Sequence, residues 1–143
     1  MWRVRVQTLM GVVVVVAATG CASVSRAPLQ SHGGIPAAQG EVEVRASKSE
    51  NNNTSVEVRV QYLALPGKVV PGATTYVVWA RPEGGWNVQN LGALRVSADL
   101  SGSLKTVTPF RRFELFITAE PSAQILQPTG AELLSAQLKR KGG

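Results

Sequence analysis

Few residues in this chain are of a type and spacing that could do chemistry. There is one cysteine, Cys21, and one histidine, His32. A nucleophile needs a base within reach, and a metal needs clustered His, Cys or carboxylate ligands. Cys21 closes an apolar stretch, and His32 stands beside Gly33-Gly34 with no second ligand near it. Neither a Cys–His nor a Ser–His pair is expected in the domain, and no metal site and no cofactor. Asp99 with Ser101 reads as a turn, and Glu83, Glu114 and Glu120 stand singly, as on solvated faces. The chain therefore reads as a non-enzyme, and the chemistry left to it is contact. Trp86 follows Gly84-Gly85, where a large aromatic on an adaptable loop suits a partner, or else folds back over the domain. Arg111 and Arg112, and Lys139-Arg140-Lys141, offer cations to an anionic partner, or else serve as solubilising charge.

The cysteine has a setting of its own. Arg3 and Arg5 make the start of the chain positive, and Leu9 to Ala18 follows without a charge. A secretory signal has an apolar centre of ~7–15 residues, whereas a bilayer span needs ~20. The run reads as a signal. Small residues Ala18-Thr19-Gly20 then lead into Cys21. This quartet resembles the bacterial lipobox, with Ala18 where that motif most often has Leu. The resemblance implies that residues 1–20 are a lipoprotein signal peptide and that Cys21 becomes the lipidated first residue of the mature chain. Two or three acyl chains hold a protein durably where a single myristoyl chain is marginal. With Ala22 after the cysteine, the resemblance implies the outer membrane, facing the periplasm, with the periplasmic face of the inner membrane as the alternative. The competing origin is a plainly secreted protein cleaved near Ala22, with a free thiol.

Length and charge bound the rest. At 143 residues, only one domain fits behind the signal. The formal charge is +6 from 15 Lys+Arg and 9 Asp+Glu; without Arg3 and Arg5 the balance is 13 to 9, or +4. A modest positive surplus favours acidic envelope polymers or lipid headgroups. With 6% aromatics and no basic stripe at helical spacing, nucleic acid is excluded as a partner.

The elements that would position these residues read as strands. Residues 21–40, the cysteine followed by a run rich in Ser, Gly, Ala and Pro, have no hydrophobic period and are expected to be a disordered tether spanning ~25 Å. From Glu41 the period is two. Val42 and Val44 alternate with Glu43 and Arg45, and Val56, Val58 and Val60 with Glu57 and Arg59, which predicts a hairpin with one solvated face. The run Thr74 to Arg81 is apolar on both faces, Tyr76, Val78 and Ala80 against Val77 and Trp79, and is expected inside a sheet with Trp79 in mid-core. Leu91 to Val96, Ser103 to Val107 and Arg112 to Glu120 follow as strands. Ala131 to Leu138 suits a closing strand or a short helix, and the strand is preferred. The sum is an all-β fold, an immunoglobulin-like β-sandwich of about seven strands over residues 41–141.

Several short pieces recur in a known order: Tyr76-Val77-Val78-Trp79, Pro82-Glu83-Gly84-Gly85, Leu91-Gly92, Ile117-Thr118-Ala119-Glu120-Pro121 and Pro128-Thr129-Gly130. Together they resemble the extracytoplasmic C-terminal domain of anti-sigma-K-type factors. The cytoplasmic sigma-binding domain and transmembrane helix of those factors have no counterpart in this sequence, so sigma-factor binding is not implied. The resemblance implies the interaction half alone. The expected function is a lipid-anchored, non-catalytic interaction domain, a regulator or accessory part of an envelope complex. The alternative is a structural envelope protein that holds peptidoglycan or lipopolysaccharide through basic residues. The expected partners are the membrane, through the anchor, and an envelope protein or cell-wall polymer.

Overall fold

Alternating valines build one sheet and a doubly apolar strand builds the other. A computed structural model describes residues 23–47 and 51–141; the expected signal peptide and Cys21 lie outside them. The elements are β1 (Ser25–Pro28), β2 (Gln30–Ser31), β3 (Gln39–Ala46), β4 (Thr54–Gln61), α1 (Pro66–Val69), β5 (Thr75–Pro82), β6 (Gln89–Ala93), β7 (Arg95–Val96), β8 (Gly102–Thr108), β9 (Arg112–Glu120) and β10 (Leu134–Lys139). They form two five-stranded antiparallel sheets in the orders β1-β3-β4-β8-β7 and β2-β10-β9-β5-β6. The architecture is the immunoglobulin-like β-sandwich expected, with ten strands rather than about seven. The additions are the short β1 and β2, too brief to show a period, and the expected strand Leu91 to Val96 is divided into β6 and β7 at Leu94.

Val42, Val44, Val56, Val58 and Val60 from the first sheet meet Tyr76, Val78, Phe113, Leu115 and Ile117 from the second in one core. Each such side chain contributes about 1.5–3 kcal/mol on burial. The outer face of the first sheet carries charges in register. Glu43 lies opposite Glu57, and Arg26, Arg45 and Lys105 pair with them. That offsets the like-charge repulsion such a cross-strand pair would otherwise cost.

The sandwich closes at both sides by strands that change sheets. β1 pairs with β3 and β2 with β10, the chain crossing at buried Leu29. On the other side β6 pairs with β5 and β7 with β8, crossing at buried Leu94. Such crossings leave short edges.

The expected tether is corrected here. The ordered domain begins at Ser25, and Leu29, Ile35 and Ala38 are buried in the core. Their burial is invisible to periodicity because the three are spaced irregularly among Pro, Gly, Ala and polar residues.

Trp79 is corrected too. It is fully buried, but on the outer face of its sheet, with Val77 and Phe116. Its ring stacks on Phe116 with centroids 6.3 Å apart, and Val88 and Ile125 pack against the group. The cover comes from the loop before β6, through Val88, and from segment 121–133, through Ile125. The strand preferred over a helix for Ala131 to Leu138 is present as β10, paired to β9 from Leu134, while residues 131–133 precede it without regular structure.

Candidate functional site

The sandwich has two ends, and the residues singled out as contacts gather at one of them. Call it the basal end. β1 runs antiparallel to β3 with Ser25 opposite Val44, so the chain before Ser25 leads out past the β3–β4 turn. Thr54 lies opposite Thr108 and donates from Oγ1 to the Phe110 carbonyl at 2.7 Å. β9 starts here at Arg112, paired with Lys139 of β10. The loop after β5 joins them through Glu83 N donating to the Arg112 carbonyl at 3.2 Å. Thr108 Oγ1 donates to Gln89 Oε1 at 2.8 Å, tying the two sheets together.

Trp86 stands in that loop with 97% of its surface exposed. Gly84 takes a positive φ of 71°, and Gly85 N donates to the Pro82 carbonyl at 3.0 Å. The turn therefore sends the chain outward at a position where a side chain would be strained. The indole N–H has no partner among the described residues, which leaves a donor and an apolar ring presented together. Beside it runs a groove of about 450 Å³ lined by Arg81, Pro82, Glu83, Arg112, Phe113 and Lys139, among others. Arg111, Arg112, Lys139 and Lys141 are exposed around it. Arg112 Nη1 lies 3.6 Å from Glu83 Oε2, a solvated pair that contributes little. Arg111 Nη2 donates to Asn52 Oδ1 at 3.2 Å. The structure thus brings Trp86, Arg111 and Arg112 to one end. Exposed Val24 and Val107 are also at this end. Sequence reading missed both, although Val107 shares the outward phase of Ser103 and Lys105.

Arg140 is the member of the C-terminal basic run that is not surface charge. It is 4% exposed. Its Nη1 donates to the carbonyls of Asn52 and Asn53 at 3.0 Å each, and Nη2 to Asn52 Oδ1 at 2.9 Å. Asn52, at a φ of 53°, holds the turn that receives it. Arg140 is a clamp on the basal end rather than an anionic contact.

A Ser–His contact does form, against expectation. His32 Nε2 and Ser135 Oγ lie 2.6 Å apart, because β2 is paired with β10 and not part of a tether. No third group among the described residues orients the ring, and neither residue lines the groove beside Trp86 or the one between β1, β3 and β4. A catalytic dyad needs both an orienting partner and a cleft with oxyanion donors. The contact instead staples the two-residue β2 to its sheet. Among the described residues no group of three His, Cys, Asp or Glu is placed to hold a metal.

Of the five recurring sequence pieces, Pro82-Glu83-Gly84-Gly85 is the turn that carries Trp86, and the other four meet away from it, in a buried network. Trp79 Nε1 donates to Thr118 Oγ1 at 2.9 Å, and Thr118 Oγ1 donates to Glu120 Oε1 at 2.6 Å. Glu120, with no exposed surface, also accepts from Thr129 N at 2.9 Å, Gly130 N at 3.1 Å and the Thr129 hydroxyl. Burial pushes its carboxyl pKa up, and these donors together outweigh burial and hold it below the ordinary value. At Gly130 a Cβ would come within 2.8 Å of the Ala119 carbonyl, so the loop can approach β9 only as glycine. Leu91-Gly92 marks a bulge, where Val78 faces Gly92 and Trp79 faces Asn90. Asn90 Nδ2 donates to the carbonyls of Ala123 and Ile125. These four pieces are thus the fastening of segment 121–133 over Trp79.

No protein-family model matches the chain, and no curated protein matches it. No helix among the described residues is long and apolar enough to cross a membrane.

Proposed function

We propose that the chain is a lipid-anchored, non-catalytic contact domain of the bacterial envelope that works through the basal end of its sandwich. The observation that carries this reading is Trp86, 97% exposed, at the same end as the solvent-facing Arg111, Arg112, Lys139 and Lys141. An indole set outward costs solvation and offers no folding contact, so its return lies in binding. Anchoring rests on Arg3, Arg5, the apolar run and Ala18-Thr19-Gly20-Cys21. The non-catalytic part of the reading stands on the sequence, and the His32–Ser135 contact is read as a staple of β2 to its sheet. The basic character of this end favours an anionic envelope component, the class to which cell-wall polymers and lipid phosphates belong. The part of regulator or accessory subunit stands on the anti-sigma-type resemblance.

The test is chemical crosslinking in cell envelopes. Cys21→Ser should abolish lipid labelling of the protein. In the lipid-bearing form, Trp86→Ala should leave the unfolding midpoint within about 0.5 kcal/mol, as surface changes do. Recovery of the crosslinked envelope component should fall about tenfold, equivalent to ~1.4 kcal/mol. A parent protein without lipid label refutes the anchor. Undiminished recovery from Trp86→Ala refutes the basal contact.

A further inference from the structure

The anchor and the tryptophan are closer than the sequence suggests. Only four residues lead from Cys21 to Ser25, which is already paired in a sheet. Fully extended they reach at most about 14 Å. The strands run much further: β9 has nine residues, about 30 Å at strand rise. A lipid on Cys21 therefore holds the domain with its basal end against the bilayer, since β1 leads out at that end. The geometry points to the partner of this end: the headgroups of anionic phospholipids in the membrane that carries the anchor. This rests on the proposed lipidation of Cys21 for its nearness, and on the surface itself for its chemistry.

The other surfaces within reach suit the role less. On the outer face of the first sheet the cations are taken up by acids, Arg26, Arg45, Arg59 and Lys105 all being paired with Glu41, Glu43 or Glu57. The outer face of the second is roofed by segment 121–133. Among the described residues the basal end alone joins a free indole to a surplus of cations, with Glu83 the exposed acid among them. Tryptophan settles at the headgroup level because its ring is apolar and its N–H polar. Arginine and lysine beside it meet lipid phosphates, an attraction that salt screens. Exposed Val24, one residue before β1, and Val107 add apolar surface at the same level. Arg140, clamped on Asn52 and Asn53, keeps this end rigid, so one docked orientation follows rather than a tumbling domain.

The experiment uses the full lipid-bearing protein on vesicles of phosphatidylcholine with and without phosphatidylglycerol. The readout is quenching of Trp86 fluorescence by acrylamide, taken as the difference between the parent and Trp86→Phe. Co-flotation with neutral vesicles reports the anchor independently. On anionic vesicles the quenching of Trp86 should fall about threefold or more and recover in about 0.5 M salt, where the Debye length is only a few ångströms. Arg111→Glu combined with Lys139→Glu should remove the protection while flotation persists. Should that variant misfold, Lys141→Glu alone should weaken the protection on a residue at the chain's end. Trp86 as open to quencher on anionic vesicles as in solution overturns the inference. So does equal protection on neutral vesicles, or protection obtained with isolated cell-wall sacculi instead. Failure to float on neutral vesicles refutes the anchor alone; protection by excess anionic vesicles would then still support the lipid surface, and its absence would overturn it.

Discussion

Glu120 gives the sharpest test of how the domain is held together. It is a carboxylate without solvent exposure that accepts from Thr118 Oγ1, Thr129 N, the Thr129 hydroxyl and Gly130 N. Glu120→Gln keeps Oε1 facing Thr118, Thr129 N and Gly130 N, and sets its amide against the Thr129 hydroxyl, which can turn and accept. Every bond survives and only the charge is lost, so the cost is the difference between charged and neutral hydrogen bonds, about 1–2 kcal/mol. Glu120→Ala leaves the Thr129 and Gly130 N–H groups without their acceptor in a buried site and releases segment 121–133 from Trp79. That should cost about 3–5 kcal/mol, a large part of a small domain's 5–15 kcal/mol. The pH dependence has a definite sign. The folded carboxyl titrates below its ordinary value, so its contribution is present above the unfolded pKa of about 4.3 and is lost as pH falls through the folded one. Urea midpoints for the parent and both variants, measured from pH 3 to 7, read all of this. The parent's advantage over Glu120→Gln should be constant from about pH 5 to 7 and shrink below about pH 4. A cost for Glu120→Ala under about 1 kcal/mol would refute the network as a fastening.

Trp79→Ala should cost about 3–5 kcal/mol through the cavity under segment 121–133 and the lost bond to Thr118; a shift under about 1 kcal/mol in the denaturation midpoint would contradict its burial. Burial pushes the Tyr76 hydroxyl up to about 12, and it donates to the Ala64 carbonyl at 2.6 Å. The folded state favours the protonated phenol, so stability is full below about pH 10 and is lost as pH rises toward 12; Tyr76→Phe should flatten that alkaline decline and cost about 1 kcal/mol at neutral pH. Arg140→Ala should destabilise by about 2–4 kcal/mol by stranding the Asn52 and Asn53 carbonyls, a loss read in the same midpoints and not restored by Arg140→Lys, which has no planar fork.

Much of the fold was legible because burial wrote it as a period. The valines of β3 and β4 alternate, and so do Phe113, Leu115 and Ile117, so the hairpin, the interior strands and the sandwich follow from spacing. β1 and β2 escaped because a strand of two to four residues with one buried leucine has no period to show. The tether reading and the dismissal of a Ser–His pair failed together, both for want of that pairing. Trp79 was placed in a strand apolar on both faces, and such a strand does not say which face lies between the sheets. The answer came from segment 121–133, where Ile125 packs on Trp79 and Phe116 while its neighbour Leu126 is exposed, a division no period in that stretch marks. At the candidate site, the Gly84-Gly85 turn before Trp86 was legible as a loop, but the ring's full exposure was not. The convergence of residues as distant as Ser25, Trp86, Arg111 and Lys139 on one end is set by strand register, which no local pattern encodes. Arg140 looked like its neighbours Lys139 and Lys141 in a basic tail, and only its partners in the β3–β4 turn set it apart.

The central claim is that the basal end, and not the rest of the surface, meets the envelope. Photo-crosslinking in living cells tests it most directly, with a photoreactive residue placed once at Trp86 and once at Leu126. Leu126 is 82% exposed but lies on the segment roofing the second sheet. Position 86 should give adducts with phospholipid and position 126 should give none. Lipid adducts from position 126 alone, or from both positions alike, would contradict the account.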